Sequence, residues 1–167
     1  MIAARGRIKA KILDAQAIQQ TLLRMAHQIL DRNPDLNQIA LVGIGERGEI
    51  LAKRLAGIFK STEGKIIPTA LLREGRCEKP VTEYKTIILV DDVICTGHEA
   101  HRAIASLLNG QTSECIQLAA LVDRGNREIP VHADYIGKNV PTSSDEYVEV
   151  RLKELDKDEH VLIMENR

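Results

Sequence analysis

Thr86–His101, TIILVDDVICTGHEAH, is the stretch that decides the fold. Ile87-Ile88-Leu89-Val90 is a continuous apolar run, the pattern of a strand buried on both faces in a parallel sheet. The run stops at two carboxylates, Asp91 and Asp92. Ala100, Ala103, Ile104, Leu107 and Leu108 then recur at helical spacing, with Gly97 near the start and Asn109-Gly110 as the stop. A strand that feeds a helix in this way places its following loop in the crevice at the carboxyl end of the sheet, where ligands of such folds sit. The Thr96-Gly97 turn can hold a phosphate: backbone N–H groups and the positive end of the helix dipole face the anion, Gly97 allows close approach, and Thr96 adds a hydroxyl. Ionised carboxylates only accept hydrogen bonds and sugar hydroxyls donate them, so two acids one loop from a phosphate turn suit a ribose 5-phosphate. The bland alternative is a strand-to-helix turn with solvated acids, and spacing alone leaves both open.

The same alternation extends outward. Ile8, Ala10 and Ile12 read as a half-buried strand, with Asp14 as the N-cap of a helix whose stripe is Ile18, Leu22, Met25, Ala26, Ile29 and Leu30, ended by Asn33-Pro34. Ile39–Val42 is a second buried strand; Gly43 to Gly48 turns the chain, and helical spacing resumes from Ile50 to Ile58 until Gly64. Ile66 to Leu72 is expected as a strand, with Pro68 at an edge or bulge. Residues 73–85 are a polar loop or small excursion. Ile116–Val122 is a further buried strand, followed by a loop at Asp123–Arg127 and short strands at 134–137, 147–152 and 160–163. Strands alternating with crossover helices predict one α/β domain over 1–167 with a central, mostly parallel sheet.

Composition narrows the function. With 23 basic and 24 acidic residues there is no global excess of positive charge for a polyanion, so any nucleic-acid site would be local. One Phe, three Tyr and no Trp exclude an aromatic ladder for stacking bases. Cys77, Cys95 and Cys115 are widely spaced and odd in number, which fits neither a disulfide framework nor a structural zinc site and points to a reducing cytoplasm. The longest apolar stretch, Ile39 to Gly45, is too short to cross a bilayer.

TIILVDDVICTG resembles the signature of type I phosphoribosyltransferases. LVGIGERGEILAKRLA (41–56) and LVDRGNREIPVHADYIGKNVPTSSDEYVEV (121–150) resemble the pyrimidine operon attenuation regulators, a family that also has uracil phosphoribosyltransferase activity; the similarity runs from about Ile12 to Asn166, broken around 73–85. The resemblance implies a type I phosphoribosyltransferase fold with a reduced hood and a truncated flexible loop. It implies that Asp91, Asp92, Val93, Ile94, Cys95, Thr96, Gly97, His98 and the position of Glu99 surround the ribose 5-phosphate of phosphoribosyl diphosphate. Gly43, Ile44, Gly45, Glu46 and Arg47 would form the diphosphate loop, with Asp91, Asp92 and Arg47 catalytic. Diphosphate would be displaced by a uracil nitrogen to give UMP, with Mg2+ carried on the substrate rather than in a dedicated protein cage. A homodimer or higher homo-oligomer and RNA contacts at Arg127 and Lys138 are also implied.

Three departures stand out. The family usually has Thr where this chain has Glu99; at about 4 Å and an effective dielectric near 20, like unit charges repel by roughly 4 kcal/mol, so Glu99 either turns away or weakens phosphate binding. The Arg73–Lys85 segment is much shorter than the family's lid-bearing excursion, leaving Arg73 as its basic residue. Positions that are commonly His and Arg on the RNA face are Asn126 and His132 here. These departures open a second function class, a nucleotide-sensing regulator with weak or no turnover, and a third, a scaffold for assembly. Among competing motifs, Gly43–Gly48 fits G-x-G-x-x-G, but the acid about 20 residues on, Glu63, precedes the next strand instead of following it. Cys95 reads as a small packed residue, and His98 with His101 makes no complete metal site.

Overall fold

The computed structural model describes residues 6–110 and 113–166. The apolar run at 87–90 does lie at the middle of a parallel sheet. Six strands are ordered β4 (Arg76–Cys77), β3 (Thr69–Arg73), β2 (Ile39–Ile44), β5 (Thr86–Ile94), β6 (Cys115–Asp123) and β7 (Tyr135–Asn139). All neighbours are parallel except β3 and β4, a two-stranded hairpin turned at Glu74-Gly75 with positive φ at both residues. That hairpin is what the short 73–85 segment builds.

Two apolar layers hold the sheet. Ile88 and Val90 face α1 (Ala15–Arg32) and α2 (Gly45–Glu63), joining Ile18, Leu22, Leu51 and Leu55; Ile87 and Leu89 face α3 (His98–Leu108), joining Ala100, Ala103 and Leu107. The expected stripe on α1 is buried at Ile18, Leu22, Met25, Ala26 and Ile29, and Asp14 caps it by accepting from the Ala17 amide at 2.8 Å. Gly64 ends α2 in the left-handed conformation, φ 65°.

Several boundaries differ from the sequence reading, each for a physical reason. β5 does not stop at Asp91 but runs on to Ile94, because β6 continues to pair with it through Asp91↔Ala120 and Val93↔Val122. Val93 packs on the α1/α2 layer and Ile94 in the α3 layer, so the in-out alternation slips by one residue across Asp91-Asp92. The Gly43–Gly48 turn is absent as a separate loop: β2 ends at Ile44 and α2 begins at Gly45. Pro68 lies before β3, where its carbonyl accepts from Leu41, and Ile66 is exposed. The last strands also leave the central sheet. β8 (Glu146–Arg151) and β9 (His160–Glu165) join β1 (Arg7–Asp14) in an antiparallel sheet ordered β1-β9-β8. The segment between β8 and β9, carrying the short α4 (Lys153–Asp156), is too short for the crossover of a dozen or more residues that parallel pairing requires.

The glycines of the G-x-G-x-x-G stretch serve packing. A methyl on Gly43 would run into the backbone of Gly48 and Glu49, and one on Gly48 into the Val90 carbonyl oxygen. This seats α2 directly on β2 and β5. Gly48→Ala is therefore expected to lower stability by more than about 2 kcal/mol in denaturant unfolding. Gly57→Ala, in open space on the same helix, is expected to raise it by about 0.5–1 kcal/mol.

Candidate active site

A cleft of about 280 Å³ opens at the carboxyl ends of β2 and β5. Its walls are Ile44 at the end of β2, Gly45, Glu46 and Arg47 from the start of α2, Asp91 and Asp92 from β5, and Glu99 from the first turn of α3. The central strand thus delivers both acids to the place the sequence assigned them. Asp91 is 3% exposed and Asp92 half-buried. The Asp92 amide donates to Asp91 Oδ1 at 2.9 Å. Burial first, then the charges of Asp92 and Glu99, push the Asp91 pKa well up. Glu99 lines this cleft with an exposed side chain. It lies on the wall between this cleft and a larger chamber of about 540 Å³ floored by Leu72 and Gly75 and bordered by His101, Arg102 and Ser106.

The cations stand differently from the expectation. Arg47 lines the cleft, but its Nε donates to the Val150 carbonyl at 2.9 Å and its Nη2 to Asp156 at 2.7 Å, tying α2 to the antiparallel sheet and α4. Arg73 pairs with Glu46 at 3.0 Å across the mouth of the cleft. Gly43 is buried beneath α2 and does not line the cleft, so it shapes the β2–α2 junction without facing the cleft.

The turn that leads from the acids to α3 packs against the loop after β6. The carbonyls of Ile94, Cys95 and Thr96 accept in succession from the Arg124 amide (3.0 Å), Arg127 Nη1 (2.8 Å) and the Glu128 amide (2.9 Å), with the Ile129 amide also on Thr96 (3.2 Å). The Ile94 side chain is buried in the α3 layer, and Val93 is half-buried against the α1/α2 layer. Cys95 is half-buried, Thr96 Oγ1 accepts from the His98 amide at 3.4 Å, and Gly97, at φ 91°, is covered by Ile129 and Val131. His98 faces outward to Glu128 at 2.8 Å.

Of the two residues assigned to RNA, Lys138 is exposed on β7, whereas Arg127 is engaged internally, with a two-point ion pair to Asp123 at 2.8 and 2.9 Å. Sequence reasoning missed Asp123 and Asp156 as the anchors of the two arginines. Neither pairing is marked in the sequence: Asp123–Arg127 is a strand end and loop, where the helical four-residue rule does not apply, and the partner of Arg47 lies more than a hundred residues away.

A mostly parallel sheet with an acid pair near the carboxyl end of its central strand, against a glycine turn and a helix, defines an α/β protein with its cleft at the carboxyl ends of its strands. The phosphoribosyl transferase domain model matches residues 9–156. The bifunctional protein PyrR of Pelotomaculum thermopropionicum is 45% identical over 177 aligned residues, covering 96% of this chain and 98% of that one. That of Clostridium acetobutylicum is 39% identical, covering 95% and 98%. The chain belongs to the phosphoribosyltransferase family, in the group that includes the bifunctional PyrR proteins. Its fold is shared by a hypoxanthine-guanine phosphoribosyltransferase of Bacillus anthracis (TM-score 0.72, 17% identity, 95% of this chain and 99% of that one). It is also shared by the enzyme of Leishmania tarentolae in complex with GMP (TM-score 0.77, 14% identity, 96% and 98%). Among the described residues no helix is long and apolar enough to cross a membrane.

The electrostatics of Asp91 give a prediction with a definite sign. Its folded pKa lies above the unfolded value of about 3.9, so its contribution to stability is fully present in acid and is lost as pH rises through the folded pKa. Asp91→Asn, which keeps an acceptor for the Asp92 amide, is expected to raise the melting temperature relative to the wild type at about pH 8. The gain should shrink towards zero near pH 4.

Proposed function

We infer that this chain is a phosphoribosyltransferase that transfers ribose 5-phosphate from phosphoribosyl diphosphate to a pyrimidine base, with uracil as the base and UMP as the product. The observation that carries the reading is the acid pair near the carboxyl end of β5, sharing one cleft with the first turns of α2 and of the glycine-started α3. In the reaction a ring nitrogen of the base forms a bond to the anomeric carbon as the bond to the diphosphate oxygen breaks, and the bond electrons leave with diphosphate. Positive charge grows on the sugar. Asp92, half-buried and facing the cleft, favours that charge and accepts from a ribose hydroxyl. Asp91, whose pKa is pushed up by burial and the charge of Asp92, accepts from the Asp92 amide and fixes the backbone that carries Asp92 into the cleft. No covalent intermediate is required, and positioning supplies much of the rate.

Magnesium enters as part of the substrate. Asp91 and Asp92 are the hard oxygen donors that would hold Mg2+ arriving with the diphosphate, and the ion would supply charge neutralisation for the leaving group. Such an ion also offsets the concentration of negative charge from Glu46, Asp91, Asp92 and Glu99. Arg47 reaches the leaving group with its full fork only by releasing both Asp156 and the Val150 carbonyl, and Arg73 only by releasing Glu46.

That acidic wall favours a second reading as well, in which the cleft holds a pyrimidine nucleotide for regulation with little turnover, in a homo-oligomer with Lys138 as the surviving RNA contact. Diphosphate release that depends on both uracil and Mg2+ separates the two. Asp92→Asn is expected to lower kcat by about a hundredfold or more. Glu99→Thr is expected to lower the KM for phosphoribosyl diphosphate by about tenfold, since the exposed carboxylate is partly screened. Wild-type turnover no greater than that of the Asp91→Asn, Asp92→Asn double variant would overturn the enzymatic reading.

A further inference from the structure

We propose that Arg127 is a positioning residue that holds the Ile94–Gly97 turn in its phosphate-binding form. The proposal rests on the reading of that turn as the ribose 5-phosphate site. Its basis is that one guanidinium joins three separate pieces of chain. Nη1 and Nη2 pair with the two carboxylate oxygens of Asp123 at the end of β6, at 2.9 and 2.8 Å. Nη1 also donates to the Cys95 carbonyl inside the turn, and Nε to the Val131 carbonyl, both at 2.8 Å. The Arg127 side chain is 23% exposed and that of Asp123 13%, so the pair is fixed in the protein rather than waving in solvent.

The arrangement has a chemical consequence. A turn can offer its N–H groups to an anion only if its carbonyls, which would repel the anion, are aimed elsewhere. Here the carbonyls of Ile94, Cys95 and Thr96 are all taken by the loop after β6. Two of the three are met by backbone amides, and the middle one depends on Arg127. The same loop closes over Gly97, where a Cβ would meet Ile129 and Val131 at 3.1–3.3 Å. Val131, whose carbonyl Arg127 holds, is therefore part of the cover on the turn. Burial opposes the ionisation of Asp123, but the bonds from Arg127 and the Gly125 amide keep its pKa below the usual carboxylate range, so the ion pair is present at neutral pH.

Lysine keeps the charge but lacks the planar fork that reaches these acceptors together, so Arg127→Lys isolates geometry from charge. The test is amide hydrogen exchange on the ligand-free full chain, combined with steady-state kinetics, for the wild type, Arg127→Lys and Arg127→Ala. Exchange at residues 95–99 is expected to speed up by about tenfold or more in both variants, while peptides of β2 and α1 keep their wild-type rates. The KM for phosphoribosyl diphosphate is expected to rise by about tenfold or more, with kcat within about threefold of the wild type. Exchange and KM both unchanged in Arg127→Lys would overturn the proposal. So would an unchanged KM with a loss of about one unit from the salt slope of RNA binding, which would make Arg127 a surface phosphate contact. If the wild type shows no dependence on phosphoribosyl diphosphate, the enzymatic reading fails separately, and exchange confined to the turn still decides whether Arg127 holds it. If Arg127→Ala exchanges everywhere, Arg127→Lys decides.

Discussion

A carboxyl group sealed into the middle of a parallel sheet is the constraint on which the rest of this structure depends. Asp91 lies on β5 between β2 and β6, almost without solvent, beside a second carboxylate and within range of a third. Such a placement opposes folding at neutral pH unless the group keeps a proton or meets a cation, so a strand of this apolar strength and a tightly seated α2 are needed to hold it there. The close approach of Gly48 to the Val90 carbonyl, one residue before Asp91, shows how directly the seating of α2 bears on the acid. Fold and site are coupled through one backbone contact.

Much of this was legible in the chain. The run at 87–90 marks the central strand and, by giving way to two acids, the location of the cleft, because apolar continuity is a local signal; the extension of β5 to Ile94 is set by its pairing with β6. The cap at Asp14, the stripe on α1 and the stop at Gly64 were legible for the same reason. The antiparallel sheet of β1, β8 and β9 was not, since it joins the two ends of the chain and no periodicity reports a partner at that separation.

The site was legible in its acids and only partly in its bases. Carboxylates at a strand end are placed by the strand itself. Arginine side chains are long, and their partners are chosen by the folded surface: Arg47 is drawn to Asp156 and the Val150 carbonyl, Arg73 to Glu46, and Arg127 to Asp123. The basic positions that a family resemblance assigns to diphosphate and RNA are thus in part committed to the protein. The cleft that remains is acidic, and it suits a sugar diol and a cation-bearing diphosphate better than a bare phosphate. Glu99, standing between the cleft and the adjoining chamber, is the residue through which this chain departs furthest from a purely anion-binding design.

The most direct measurement is a crystal structure of the chain grown with UMP or with phosphoribosyl diphosphate and Mg2+. The account predicts ribose hydroxyl oxygens within about 3 Å of the Asp91 and Asp92 carboxylates and the 5-phosphate against the backbone of Thr96–Glu99. A ribose bound elsewhere on the molecule, with this cleft left to solvent, would contradict it.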